Sequence, residues 1–406
     1  MPLTTALQCR SCRATHPKAA LAACPTCGSQ LDPAYDWDRV RAVVDRDRLR
    51  GRPRTMWRYR ELLPLDDEPR VSTDVGWTPL VEAPRLARAL GVGRVWIKND
   101  GFSFPTLSFK DRVVAVAINK AVELGITVVA APSTGNLANA VASHAARAGL
   151  VAWVIIPEDL ELGKVVGSAV YAPHLVRVRG TYDDANRLAR EAAATLGWGV
   201  VNVNLRPYYG EGSKTMAFEI AEQLGWRLPT AVVAPMAGGS LITKLRKGFE
   251  ELRALGWVSG APPRMFGVQA AGCAPIARAV LDGSPEITPV QPRTVSRSIA
   301  IGDPVDGPWA LETIRRSGGW AAAVDDDAMR EGIHLLAREE GIFTETAGGV
   351  TVSGARQLAA ASRLSTSDEA VLCMTGNGLK TIEALGDALE APLIDPTLEA
   401  LTKLAA

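Results

Sequence analysis

Between Val95 and Met374 the chain alternates short apolar runs with longer stretches of helical spacing, and this alternation limits the available folds more than any other feature. The runs Thr127-Val128-Val129-Ala130-Ala131, Ala152-Trp153-Val154-Ile155-Ile156-Pro157, Thr230-Ala231-Val232-Val233-Ala234-Pro235 and Ala370-Val371-Leu372-Cys373-Met374 are apolar at successive positions, not only at alternate ones. A strand of that kind is buried on both faces, as in a parallel sheet covered by helices on each side. The spacing predicts further strands at 95–98, 175–178 and 265–269. It predicts helices over 110–124, after 138, over 161–171, 183–196 and 213–224, up to about 255, and over 308–317, 326–340 and 351–361. The strand at 370–374 is expected to close the sheet. In such folds ligands collect at the carboxyl ends of the strands, and the turn at 133–136 follows one of them.

A chain of 406 residues is expected to divide into two or three domains. We expect a cysteine-rich unit at 1–34, a helical arm at 35–75, and two α/β lobes at 76–215 and 216–406. In the arm, Trp57, Tyr59, Leu62, Leu63 and Leu65 are placed to pack on the next domain or on a partner subunit. The net charge of +1, with both signs interspersed, offers no electrostatic face for nucleic acid or a membrane. No apolar run has the length of a membrane span, and Met-Pro-Leu-Thr-Thr is not the start of a signal peptide, so a cytoplasmic protein is expected.

Six cysteines in such a chain point to metal or chemistry before disulfides. Cys9, Cys12, Cys24 and Cys27 form two Cys-x-x-Cys pairs eleven residues apart, the second followed by Gly28. Two such knuckles present four thiolates tetrahedrally, and a structural zinc ribbon is expected. His16 is surplus to a four-cysteine shell and is read as exposed. Cys373 is read as core.

Lys110 opens a predicted helix whose next residues, after Asp111 and Arg112, run Val-Val-Ala-Val-Ala-Ile. Burial and the positive end of a helix both disfavour the ammonium form, leaving an amine able to attack a carbonyl. Locally, an ordinary helix-start lysine paired with Asp111 or Glu123 would look the same. Met236-Ala237-Gly238-Gly239-Ser240-Leu241 lies between a strand and a helix, where small residues let backbone N–H groups approach an anion.

Taken together, Ser-Phe-Lys-Asp-Arg at 108–112, Ser-Thr-Gly-Asn at 133–136, Ala-Gly-Gly-Ser at 237–240 and Thr-Gly-Asn-Gly-Leu-Lys at 375–380 occur in an order that resembles threonine synthase. That family comprises fold-type II pyridoxal-phosphate enzymes of the tryptophan synthase β superfamily, and the likeness extends to a subgroup with an N-terminal zinc ribbon. The resemblance runs from about Gly76 to Leu385 and implies a two-lobed α/β body with open, mostly parallel sheets. It implies that Lys110 forms a Schiff base with pyridoxal 5′-phosphate and that Ala237, Gly238, Gly239, Ser240 and Leu241 cradle its phosphate. Asn136 would meet the 3′-oxygen, and Thr375 the pyridine nitrogen. Ser133 and Thr134, with Asn136, would hold the substrate carboxylate. The implied reaction turns O-phospho-L-homoserine and water into L-threonine and phosphate in a homodimer.

Four positions depart from the family pattern. Leu107 stands for a Gly and Leu137 for a Thr, while Tyr209 and Ala300 stand where arginines commonly bind the substrate phosphate. Arg206 and Lys214 are expected to restore that charge. The loss of arginine favours two other readings: a β-replacement enzyme resembling cysteate synthase, acting on O-phosphoserine, or a specialised biosynthetic paralogue. A zinc-ribbon regulatory or nucleic-acid-binding protein with a degenerate body is a third alternative, opposed by intact Lys110, Asn136 and Thr375. Glu345 is expected either to orient a loop near the cofactor or to lie on the surface, and His144 to be packed.

Overall fold

The computed structural model describes residues 3–133, 135–158, 162–180, 182–386 and 391–405. The N-terminal unit is a three-stranded antiparallel sheet of β1 (Thr4–Cys9), β2 (Thr15–His16) and β3 (Leu31–Tyr35), in the order β2-β1-β3. It does not stand apart, because Leu7, Cys9, Cys24 and Leu31 are buried in the same apolar cluster as the main body. Asp36 caps the Trp37–Val43 helix by accepting from the Arg39 N–H. The arm then packs on its own chain: Tyr59 and Leu62 are buried with Phe218 and Leu252, and Trp57 Nε1 donates to the Ser72 carbonyl at 2.7 Å.

The remaining strands are β4 (Leu80–Glu82), β5 (Arg94–Asn99), β6 (Val128–Pro132), β7 (Val151–Pro157), β8 (His174–Val178), β9 (Gly199–Val200), β10 (Ala231–Pro235), β11 (Arg264–Ala270), β12 (Ala321–Val324) and β13 (Glu369–Met374). They form two sheets. One is wholly parallel, ordered β8-β7-β6-β9; the other is ordered β12-β11-β10-β13-β5-β4 and is parallel except for β4.

This order corrects two expectations. Strand β13 does not close the sheet but lies inside it, pairing with β10 on one side and β5 on the other. Nor do the lobes divide the chain at residue 215, since β4 and β5 leave the expected first lobe and join the larger sheet. Apolar strands of similar composition carry no mark of their neighbours, so spatial order is settled by packing.

The predicted helices appear within a few residues of their expected limits, the last starting earlier, as Thr346–Ala360. Three unforeseen short helices, Pro84–Leu90, Arg206–Glu211 and Pro275–Leu281, each carry proline in the first turn, where its missing N–H costs nothing. The Lys110–Glu123 helix is buried all round from Asp111 to Ala121. Among the described residues no helix is long and apolar enough to cross a membrane.

An ion network joins these parts. Arg112, wholly buried, bonds Asp100 at 2.7 and 2.9 Å and Glu219 at 2.5 and 2.8 Å, and Lys98 donates to Glu219 at 2.6 Å. Glu219 also accepts from the backbone N–H groups of Trp77 and Thr78, which holds the turn leading into the body.

Candidate active site

Strands β6, β10 and β13 end on one cavity, and the loop before Lys110 is sewn to the last of them. The Phe109 N–H donates to the Thr375 carbonyl at 2.9 Å, and the Asn377 N–H to the Leu107 carbonyl at 3.1 Å. Lys380, the last residue of the Thr-Gly-Asn-Gly-Leu-Lys run, donates to the Thr106 carbonyl and to Asn139 Oδ1. Asp111 accepts from Thr106 and faces His144 Nε2 at 3.1 Å, so His144 is packed as expected. Asp111, itself held by His144, accepts from the Thr106 and Ser108 N–H groups and so fastens the loop before Lys110, whose amine is left to the cavity.

Lys110 is partly buried, and Nζ donates to Tyr209 Oη at 3.0 Å, with the rings of Phe109 and Tyr209 5.3 and 5.7 Å away. It is exposed to the cavity rather than sealed in a core. Around it the lining includes Ser133, Asn136, Ala237 to Leu241, Glu345 and Thr375. Residues far apart in the chain are thus gathered around one cavity that opens to solvent.

At the cup, the Ser240–Ala254 helix begins without a side-chain cap, so its first N–H groups remain open to an anion. Gly239 has φ +91°, and a Cβ there would lie 2.9 Å from Ala310 Cβ and 3.0 Å from the Asp306 carbonyl oxygen. A Cβ on Gly238 would meet only Ile301, at 3.8 Å. The close approach of the backbone therefore depends on glycine at 239.

Glu345 is buried and lies between two of the predicted residues. Asn136 Nδ2 donates to its Oε2 at 2.8 Å, and Thr375 Oγ1 to its Oε1 at 3.2 Å. Asn136 Oδ1 is buried with no protein partner. Ser133 Oγ accepts from the N–H groups of Gly135 and Ala138, both at 3.1 Å, and keeps its own proton to donate. Thr134 lies outside the described residues.

Of the two cations expected to replace the missing arginines, only Arg206 reaches the cavity. It donates from Nη2 to Asp306 Oδ2 at 2.5 Å. Lys214 does not line the site: it is fully buried and paired with Glu211 at 2.6 Å and Glu251 at 2.8 Å. It faces the side of its helix that meets the ribbon, with its Nζ 4.5 Å from the Tyr35 ring centroid. Tyr209 and Ala300 do line the cavity. Tyr182, Asn202 and Ser298 also line it, and no sequence signal marked them. Leu107 has φ +58°, the left-handed conformation that glycine adopts without cost, which accounts for the glycine expected there.

The sulfurs of Cys9, Cys12, Cys24 and Cys27 lie within 4.8 Å of one another, a soft four-thiol set able to hold a metal. His16 is only partly exposed, contrary to expectation, with Nε2 3.2 Å from Cys24 Sγ. Cys373 is core.

Residues 71–376 match the family model of pyridoxal-phosphate dependent enzymes. The chain is 37% identical over 400 residues to threonine synthase of Methanosarcina acetivorans, covering 97% of each, and 36% identical to that of Methanocaldococcus jannaschii, covering 95% of each. Among solved structures it superposes on O-ureido-L-serine synthase with a TM-score of 0.64 at 21% identity, covering 83% of this chain and 99% of that one. For threonine deaminase isoform 2 from Solanum lycopersicum the TM-score is 0.62 at 21% identity, covering 82% and 84%.

Proposed function

The chain belongs to the pyridoxal-phosphate dependent enzymes and, within them, to the threonine synthase family, and from this we infer that it converts O-phospho-L-homoserine and water to L-threonine and phosphate. The observation that carries the reading is the convergence of Lys110, Asn136, the 237–241 turn and Thr375 on one cavity. The cavity suits the cofactor. Its uncapped helix start and Gly239 suit a phosphate, the unpartnered Asn136 Oδ1 awaits a polar group, and the Lys110 amine lines the same cavity.

When bound, pyridoxal phosphate supplies an electron sink for charge developing at the substrate carbons. The protein's part is to bind, orient and move protons. Ala237 to Leu241 hold the cofactor phosphate, and Thr375 and Asn136 orient the ring through their common partner Glu345. The Ser133 hydroxyl, with Thr134 and Asn136, holds the substrate carboxylate. Lys110 Nζ, steadied by Tyr209 Oη, takes and returns protons at Cα and Cβ. Phosphate leaves from Cγ, which gains a proton, and the water oxygen bonds to Cβ. Arg206 is the group we assign to the substrate phosphate.

Zinc in the four-cysteine site belongs to this reading, supported by the clustered sulfurs. So does action in the cytosol, where thiolate sites stay reduced. A homodimer is supported by the exposed apolar side chains of Phe102, Phe104, Leu379 and Ile382, and sedimentation of the loaded protein checks it.

The deciding test incubates cofactor-loaded protein with O-phospho-L-homoserine and quantifies phosphate and threonine. Equal release of both is expected. Release of neither would favour a β-replacement on O-phosphoserine, the reading that Tyr209 and Ala300 in the cavity wall support.

A further inference from the structure

Asp306 stands between the N-terminal ribbon and the active-site cavity. Its carboxylate accepts from Arg206 Nη2 at 2.5 Å on one side and from Arg10 Nη1 at 3.5 Å on the other. Its backbone is fastened to the cup, the N–H donating to the Gly238 carbonyl at 3.0 Å. Arg10 comes from the ribbon, next to Cys9, and its guanidinium lies 5.0 Å from the Trp309 ring centroid and 3.1 Å from Asp32. Both arginines are largely buried and Asp306 almost wholly so, their side chains 13%, 21% and 6% exposed. The ribbon also contributes Ala22, Ala23 and Gly28 to the wall of a second cavity, which Arg187 and Arg190 line as well. That cavity shares Tyr182, Asn202, Arg206, Gly238 and Ile301 with the active-site cavity.

Lys110 and Arg206 are the two basic side chains among the described lining residues of the active-site cavity. With Lys110 committed to carbonyl and proton chemistry, Arg206 is left to meet a substrate phosphate, yet it is paired with a carboxylate already. Turning it away would strand a desolvated charge, which is strongly unfavourable unless a second cation stays behind. Arg10 is that cation.

Resting on the reading that the substrate carries a phosphate, we propose that the ribbon is part of the substrate-phosphate subsite: Arg10 retains Asp306 so that Arg206 can pass from that carboxylate to the phosphate. Arg10 and Asp306 are positioning residues, acting through Arg206. The ribbon's role is then to supply a charge to the active site as well as to cover apolar surface.

The test titrates inorganic phosphate calorimetrically into cofactor-loaded wild type, Arg10→Gln, Asp306→Asn and the double variant, with KM and kcat for O-phospho-L-homoserine measured alongside. Arg10→Gln removes the guanidinium with its charge, and with it the contacts to Trp309 and Asp32, so the Asp306→Asn background is what isolates the part that acts through Asp306. The single variant is expected to weaken phosphate binding and raise KM together, by about tenfold, the scale of one hydrogen bond to a charged group, and to move KM rather than kcat. In the Asp306→Asn background the same change is expected to have no effect, because Arg10 acts through that carboxylate. Phosphate affinity of Arg10→Gln within about twofold of wild type, or an equal loss in both backgrounds, overturns the proposal. Failure of wild type to form threonine counts against the functional reading alone, since the calorimetric cycle still decides the coupling.

Discussion

Asn136, at the start of the helix between β6 and β7, donates from Nδ2 to Glu345 Oε2 at 2.8 Å across 209 residues of sequence. The other oxygen of the same buried carboxylate takes the Thr375 hydroxyl. One acid therefore sets the two groups expected to orient the ring of the cofactor. Replacing Glu345 by Ala is expected to lower kcat by about ten- to a hundredfold, the cost of freeing two buried donors from their acceptor. The absorbance of the bound cofactor should shift with it, and Glu345→Gln should recover part of both. Unchanged turnover and spectrum in the Ala variant would remove Glu345 from the site.

Lys110→Ala is expected to abolish turnover and the visible absorbance of cofactor held on a lysine. Borohydride should fix the cofactor covalently to wild type and not to the variant. Turnover retained without Lys110 would refute the central assignment.

Acid should loosen the fold through Glu219. Burial by itself would raise its pKa, but the charges of Arg112 and Lys98 and their hydrogen bonds outweigh that and hold it at about 2, below the usual 4.5. A carboxylate depressed in the folded state stabilises it above the unfolded pKa, and that contribution fades as pH falls from 4.5 toward 2. Glu219→Gln should lose about 3 kcal/mol or more at neutral pH, because it leaves Arg112 undercompensated, and should flatten the pH dependence in that window. Denaturant unfolding across the acid range measures both, and an unaltered slope would show that Glu219 is not the group responsible.

Removing the metal should cost structure around the ribbon. A strong chelator is expected to release zinc and to lower the melting temperature by several degrees, since Leu7 and Leu31 are buried against the body from strands that the thiolates organise. Cys24→Ser should mimic the chelator. Protein that contains no zinc as purified, yet melts at the same temperature with and without chelator, would make the cysteines merely structural thiols.

Leu107 is held at φ +58° in the loop before Lys110. Left-handed backbone costs a non-glycine residue about 1–2 kcal/mol, while glycine loses about 0.5–1 kcal/mol in chain entropy. Leu107→Gly should therefore fold with nearly unchanged stability, and Leu107→Val, β-branched, should be destabilised by about 1 kcal/mol or more. Equal melting of the two variants would contradict the strain at this position.

Much of the site was legible because its motifs are local. A run of small residues between strand and helix lets backbone N–H groups approach an anion without requiring one, and it was the order of the 237–241 run with the other motifs that marked it. The four cysteines were readable from their spacing alone, which defines two knuckles. Arg206 and Lys214 show where that logic ends. Both are basic and eight residues apart in the sequence, yet one faces the cavity and the other is buried between Glu211 and Glu251. The two stand on different helices, 206–211 and 214–223, and which of them points into the cavity is set by how those helices pack, which local spacing does not carry.

By itself the sequence determined the fold class and the strand-end turns, since these follow from periodicity and short-range backbone chemistry, and the order of its four motifs carried the resemblance to the family. Tertiary structure alone decided that β13 lies between β10 and β5, that Glu345 joins Asn136 to Thr375, and that Arg10 of the ribbon shares Asp306 with Arg206. Each of these joins segments far apart in the chain whose composition does not name its partner. They exist only once packing has chosen the order of the strands and the faces of the helices.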